Sequence, residues 1–171
     1  MKKETKILIF LLYFITLIYL MFFAFNRTQF LGATEYRYKL IPSRIPLWFP
    51  KSFSPYHFRL WLIALGNLAC FIPFGFFLPS IWKQFSNNYL KFICIFIILI
   101  FSIEVLQMVT YLGSFDTEDI IVNTFGATIG YISYIVGTKA KGKKLLITSL
   151  SVIGLTILTF IISYIINNNL F

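Results

Sequence analysis

Six polar side chains that could take part in chemistry lie within or beside long apolar runs of this sequence. Glu104 and Gln107 interrupt one run, and their spacing of three residues puts both on one face of a helix. If the run spans a membrane, a carboxyl group there costs roughly 2.5–3.5 kcal/mol on insertion scales and should face protein or water. Burial would favour the protonated form of this carboxyl group. The predicted polar site comprises Asn67, Glu104, Gln107, Asp116, Asp119 and Asn123.

The same residues also allow structural interpretations. Glu104 and Gln107 could join helices by hydrogen bonds without any further role. Asp116 stands where a helix should begin, so capping is its favoured role. Asp119, with Asn123 one turn further along, is harder to explain as a cap. Structural hydrogen bonding and a functional site both remain open.

Glycine and proline residues indicate where helices should pack or bend. Gly126 and Gly130 form a GxxxG pattern, which lets a second helix approach backbone to backbone. Pro73 and Gly75 predict a bend in an earlier run, because proline removes one backbone hydrogen bond. We expect all four residues to serve helix packing, and Gly126 with Gly130 also to offer a surface for a homo-oligomer.

The composition identifies the elements that must hold these residues. The 171 residues are 58% hydrophobic and only 12% charged, whereas soluble domains carry about 25% charged residues. Charge-poor runs of about 20 residues are long enough to cross a bilayer as helices. The sequence therefore predicts a single all-α integral membrane domain, a bundle of about five transmembrane helices. The expected spans lie near residues 7–26, 60–82, 92–113, 119–138 and 145–166.

Loop composition predicts the orientation of the bundle. With a cytoplasmic N-terminus, nine of the fifteen Lys and Arg residues fall on the cytoplasmic side, including both short basic loops. The C-terminus is then extracytoplasmic, as is one long loop at residues 27–59. Pro42, Pro46, Pro50 and Pro55 exclude a continuous helix in that loop. Its aromatic and basic residues favour the headgroup region, with rings towards lipid and cations towards phosphate.

Several ligand classes are disfavoured. The net charge of +9 is explained by cations that flank the spans, so we expect no nucleic-acid partner. His57 is the one histidine, and Cys70 and Cys94 lie in apolar runs, so we expect no metal and no cofactor. The sequence contains no phosphate loop and no nucleophile–base pair of recognised spacing.

Taken together, these motifs resemble the VanZ-like family over roughly the first four helices. The matching residues are Asn67 with Pro73-Phe74-Gly75, Glu104 with Gln107, and the series Asp116, Asp119, Asn123, Gly126 and Gly130. The resemblance implies a bacterial inner-membrane protein related to proteins that confer teicoplanin resistance. Many members place an arginine ahead of the first hairpin aspartate, where this chain has Gly113-Ser114-Phe115. An Arg–carboxylate pair is therefore not expected in this hairpin.

Three functions are consistent with the residues and the resemblance. The favoured one is a protein at the outer face of the membrane that contributes to glycopeptide (teicoplanin) resistance. Its partners would be membrane lipid and either a lipid-linked cell-wall precursor or the glycopeptide. The second is an intramembrane enzyme that modifies a lipid or lipid-linked envelope substrate, with Glu104 or Asp119 as acid or base. The third is a small transporter or an assembly partner, although no repeated halves support transport.

Overall fold

A computed structural model describes residues 2–24, 34–49, 54–140 and 142–170 of the chain. Within these ranges the structure is almost entirely helical. The helices are α1 (Lys3–Phe23), α2 (Pro55–Ile81), α3 (Lys83–Ser86), α4 (Tyr89–Val109), α5 (Thr117–Lys139) and α6 (Lys144–Leu170). Two short strands, β1 (Tyr38–Lys39) and β2 (Phe115–Asp116), pair in parallel.

Five helices, all except the short α3, are long and apolar enough to cross a membrane. This confirms the predicted all-α membrane bundle. Several helices extend about one turn beyond the predicted apolar runs, because a helical backbone continues into polar flanks whose side chains reach water. At the start of α2, the Ser54 side chain caps the helix and Pro55 occupies the first turn.

The C-terminal end of α4 differs from the prediction, since the helix stops at Val109 rather than at residue 113. Tyr111 adopts a positive φ of 58°, which ends the helix. The Tyr111 and Leu112 amides donate to the carbonyls of Met108 and Gln107, at 3.2 and 3.1 Å. This is the hydrogen-bond pattern of a Schellman cap, in which glycine usually supplies the left-handed residue. The Tyr111 ring stacks on Tyr36, with 5.4 Å between ring centroids.

Helices α2 and α5 pack backbone to backbone at three glycines. A Cβ on Gly126 would overlap the carbonyl oxygen of Leu68, and one on Gly130 would overlap that of Ile72. Gly75 of α2 meets the α5 backbone in the same way. The face considered for a homo-oligomer is thus occupied by α2 of the same chain. The oligomer stays a prediction, and it would require another surface or the displacement of α2.

Helix α1 lies antiparallel along α2 and donates hydrogen bonds to two of its carbonyls. The Tyr13 hydroxyl donates to the carbonyl of Cys70, three residues before Pro73. This hydrogen bond joins α1 to α2 one residue from Ala69, whose carbonyl loses its helical partner at Pro73. At the opposite end of the pair, the Lys6 ammonium donates to the Ser80 carbonyl at 3.1 Å.

The described part of the long loop, residues 34–49, is tied to the ends of the helices. We call this side of the bundle the loop end; it holds the N-termini of α2 and α5 and the C-termini of α4 and α6. Ile45 and Leu47 are buried there, and the Lys39 ammonium turns inward to Glu118. For Lys39 the prediction of a cation directed at lipid phosphate is therefore wrong. Residues 27–33 and 50–53, including Pro50, lie outside the described residues.

The glycine contact gives a prediction about stability. Gly130→Ala should lower the stability of the detergent-solubilised protein by about 1–3 kcal/mol, because the added methyl group forces α5 away from α2. Gly154→Ala is the matched control, since a Cβ at Gly154 meets nothing within 4 Å. Both substitutions gain the same helix propensity, so the difference between their thermal midpoints reports packing alone. Equal midpoints would show that the contact is not tight.

Candidate functional site

The N-terminus of α5 brings three carboxyl groups together at the loop end. Asp116 is the N-cap residue, and its Oδ1 accepts from the backbone amide of Glu118 at 2.8 Å. This confirms the predicted capping role of Asp116. Glu118 and Asp119 follow in the first turn, where the helix dipole favours negative charge.

Glu118 holds the long loop against α5. Its side chain is buried, and Oε1 accepts from the Ser43 amide at 2.8 Å, the Ser43 hydroxyl at 3.0 Å and the Arg44 amide at 3.1 Å. The Lys39 ammonium donates to the same oxygen. A buried carboxylate needs such donors, because an unpaired buried charge costs several kcal/mol. Glu118 therefore fixes residues 39–44 over the helix end.

Glu104 and Gln107 are both buried but serve different neighbours. Oε2 of Glu104 accepts from the backbone amide of Asp116 at 3.2 Å, so Glu104 faces the start of α5. Nε2 of Gln107 donates to the Met21 carbonyl of α1 at 2.7 Å. Gln107 thus joins α4 to α1.

Asn67 and Asn123 line the contact between α2 and α5 in different ways. Nδ2 of Asn67 donates to Oδ1 of Asp119 at 3.0 Å, which links the two helices. Asn123 is fully buried, and neither polar atom of its side chain has a hydrogen-bond partner within the described residues. A buried unpaired amide costs about 1–3 kcal/mol. Packing alone therefore does not account for an amide at this position.

A cavity of about 480 Å³ lies between the long loop, α2 and α5. Its polar wall combines two cations with the three carboxyl groups, and Leu60, Ile63 and Ala64 of α2 form an apolar wall. Of the predicted site residues, Asp116 and Asp119 line the cavity. Asn67 and Glu104 each bond to one of these two residues, whereas Gln107 and Asn123 do not line the cavity. The cavity's charged lining residues are Lys39, Arg44, Asp116, Glu118 and Asp119.

Partial burial raises the pKa of the Asp116 carboxyl above its usual value, and the neighbouring Glu118 carboxylate adds to the effect. The amide of Glu118 and the charge of Lys39 lower this pKa but do not cancel the rise. Asp116 therefore exchanges protons closer to neutral pH than an exposed aspartate does. The cavity thus presents groups of both charges.

A family model described as VanZ/LLP1 matches residues 10–138 of this chain. The match runs from α1 to the last turn of α5 and includes every residue that lines the cavity. The chain belongs to the VanZ/LLP1 family. It is therefore a multi-pass membrane protein of the VanZ type.

One curated relative is Protein VanZ of Enterococcus faecium. It is 27% identical to this chain over 100 residues, which cover 58% of this chain and 61% of the relative. The chain thus matches less than two thirds of the relative's length. No solved structure matches the chain.

Helix α6 lies outside the VanZ/LLP1 match but holds the loop from the other side. The Asn167 amide group pairs with the backbone of Ile45, accepting from its N–H at 2.7 Å and donating to its carbonyl at 2.9 Å. The Ser163 hydroxyl donates to the same carbonyl at 3.1 Å. The loop is therefore anchored to both α5 and α6.

The sequence analysis missed three residues that line this cavity, namely Lys39, Arg44 and Glu118. Glu118 stands between two predicted residues, Asp116 and Asp119, and the nearby loop is basic. This pairing of an acidic turn with a basic loop was the available signal. In the part of the chain that the structure describes, no group of three or more His, Cys, Asp or Glu side chains could hold a metal ion.

The Glu118 contacts give a prediction about the loop. Glu118→Ala should destabilise the protein by about 1–3 kcal/mol, because it leaves the Ser43 and Arg44 amides without their acceptor. It should also speed proteolysis of residues 34–49, measured by limited digestion of the purified protein. Glu35→Ala is the control, since Glu35 is an exposed carboxylate of the same loop. Equal digestion rates for the two variants would contradict the role given to Glu118.

Proposed function

We propose that this chain acts at the outer face of the cell membrane and contributes to glycopeptide (teicoplanin) resistance by binding a membrane-anchored ligand there. The observation that carries the proposal is the mixed-charge cavity at the loop end of the bundle. Family membership and the relative named VanZ support an envelope role. The ligand is a lipid-linked wall precursor, the glycopeptide or a lipid beside them.

The position of the cavity suits such a ligand. The charged lining residues come from the loop and from the first turn of α5, so they lie at one end of the spans. Teicoplanin carries an acyl chain and acts beside lipid-linked precursors, so both have their polar parts at the membrane surface. A protein that binds either one there would reduce the access of the drug to its target.

A second candidate function is an enzyme that modifies the ligand held in this cavity. The raised pKa of Asp116 favours it, because acid catalysis is more efficient when the pKa of the acid lies closer to neutral pH. Glu104 would then act as a positioning residue, since its side chain accepts a hydrogen bond from the Asp116 backbone. Unchanged lipid and precursor profiles in a deletion strain would count against the enzyme.

The proposed orientation can be tested by labelling. With Cys70 and Cys94 replaced by alanine, Tyr36→Cys should react with a membrane-impermeant maleimide on intact cells. Asn87→Cys, at the opposite end of the bundle, should react only after the cells are opened. Labelling of Asn87→Cys on intact cells would place the cavity on the cytoplasmic side and overturn the outer-face proposal.

The resistance role can be tested at Arg44, whose side chain lines the cavity while its backbone amide holds Glu118. Arg44→Gln keeps the backbone contact but removes the cation, so ligand affinity should fall by up to about tenfold. Cells that express this variant should lose teicoplanin resistance at normal protein level. Lys143→Gln, at the other end of the bundle, should leave resistance unchanged. Full resistance with Arg44→Gln would remove the cavity from the mechanism.

A further inference from the structure

We infer that the cavity is the headgroup half of a larger site for a zwitterionic amphiphile, one whose headgroup carries both an ammonium and an acidic group. The chain of this amphiphile lies in an apolar groove beside the cavity, between α1 and α2. The inference rests on the proposed function, because it names the class of ligand held at the same site.

The groove has a volume of about 280 Å³ and runs along α2, and Leu20 of α1 lines its other side. Its lining is apolar apart from Asn67 and from Arg59, which is exposed at the N-terminal end. A Cβ on Gly66 would meet nothing within 4 Å, so the middle of the groove is open. An apolar groove of a membrane helix is in contact with lipid, and an acyl chain is the occupant that this environment supplies.

The groove and the cavity are adjacent on α2. Ile63 lines both of them. Asn67, one turn further along the same face, lines the groove and donates to Asp119, which lines the cavity. At 100° per residue, Ile63 and Asn67 form a ridge between the groove side of α2 and the cavity side. A ligand that crosses this ridge contacts both spaces at once.

The charges of the cavity fit a zwitterion better than an ion of one sign. A purely anionic headgroup would face three carboxyl groups, and a purely cationic one would face Lys39 and Arg44. Lys39 is engaged with Glu118, so Arg44 is the cation placed to bind the acidic group of the ligand. A carboxylate accepts several hydrogen bonds, so Asp116 and Asp119 can bind an ammonium in addition to their present donors.

The same headgroup chemistry exists in a lipid and in a small soluble molecule. A soluble zwitterion would occupy only the cavity, whereas a lipid would also fill the groove. The groove therefore distinguishes the two sources, and substitutions at Gly66 test it without touching the charged residues.

The test uses the full chain, purified in detergent, with lipids of matched acyl chains. Native mass spectrometry would compare the retention of phosphatidylethanolamine with that of phosphatidylglycerol, which lacks the ammonium. We expect phosphatidylethanolamine to be retained in preference, and Gly66→Leu to weaken its binding by about tenfold because the new side chain fills the groove. Gly154→Leu, which fills an apolar groove between α5 and α6, is the matched control and should bind as the unaltered chain does.

Equal retention of the two lipids would contradict the preference for a zwitterionic headgroup. Normal binding by Gly66→Leu would contradict the placement of the acyl chain in the groove. Phosphoethanolamine is the soluble molecule with the same headgroup. If it displaces bound phosphatidylethanolamine as well as the intact lipid does, the ligand is not an amphiphile. Because binding is measured without cells, a failure here leaves the orientation and resistance experiments as they stand. Loss of the resistance role with binding intact would remove the proposed function alone.

Discussion

The backbone contact between α2 and α5 is the constraint on which the rest of the structure depends. Within a membrane, apolar side chains gain little by leaving lipid, so close packing and hydrogen bonds must hold helices together. Gly126 lies against Leu68, the residue that follows Asn67. This approach puts the Asn67 amide within 3.0 Å of Asp119. A layer of methyl groups between the helices would break that bond and widen the cavity.

Polar residues in and beside the spans position neighbouring segments and also build the candidate site. Glu104 binds the backbone of Asp116, and Asp116 caps the helix that carries Glu118 and Asp119. Glu118 in turn binds the loop that carries Arg44. A chain of contacts therefore runs from the buried Glu104 to the exposed cation at the cavity. The same contacts therefore hold the helices together and shape the cavity of the proposed function.

Much of the fold could be predicted from the sequence, because hydropathy reports the number of spans and their approximate length. It does not report how a helix is rotated about its axis. The spacing of Glu104 and Gln107 put both on one face of α4. Their separate partners, Asp116 and Met21, could not be foreseen, because they depend on that rotation. The end of α4 was missed because a tyrosine, and not a glycine, takes the left-handed position.

The site was predicted only in part, for a related reason. Glu118 meets Ser43 across 75 residues of sequence, and no local pattern encodes a contact over that distance. The paired strands β1 and β2 are two residues long, too short for a periodic signal. Asp116 could be predicted as a cap, since an N-cap depends only on residues within one turn.

The two anchors of the loop explain why Arg44 is suited to recognition. The amides of Ser43 and Arg44 donate to Glu118 of α5, and the amide of Ile45 donates to Asn167 of α6. The backbone on both sides of the cation is thus held by different helices, while the Arg44 side chain remains exposed at the cavity. In the proposed site, binding orders one side chain rather than a whole loop, which lowers the entropy cost of holding a ligand. The second of these anchors comes from α6, which lies outside the residues that the family model matches.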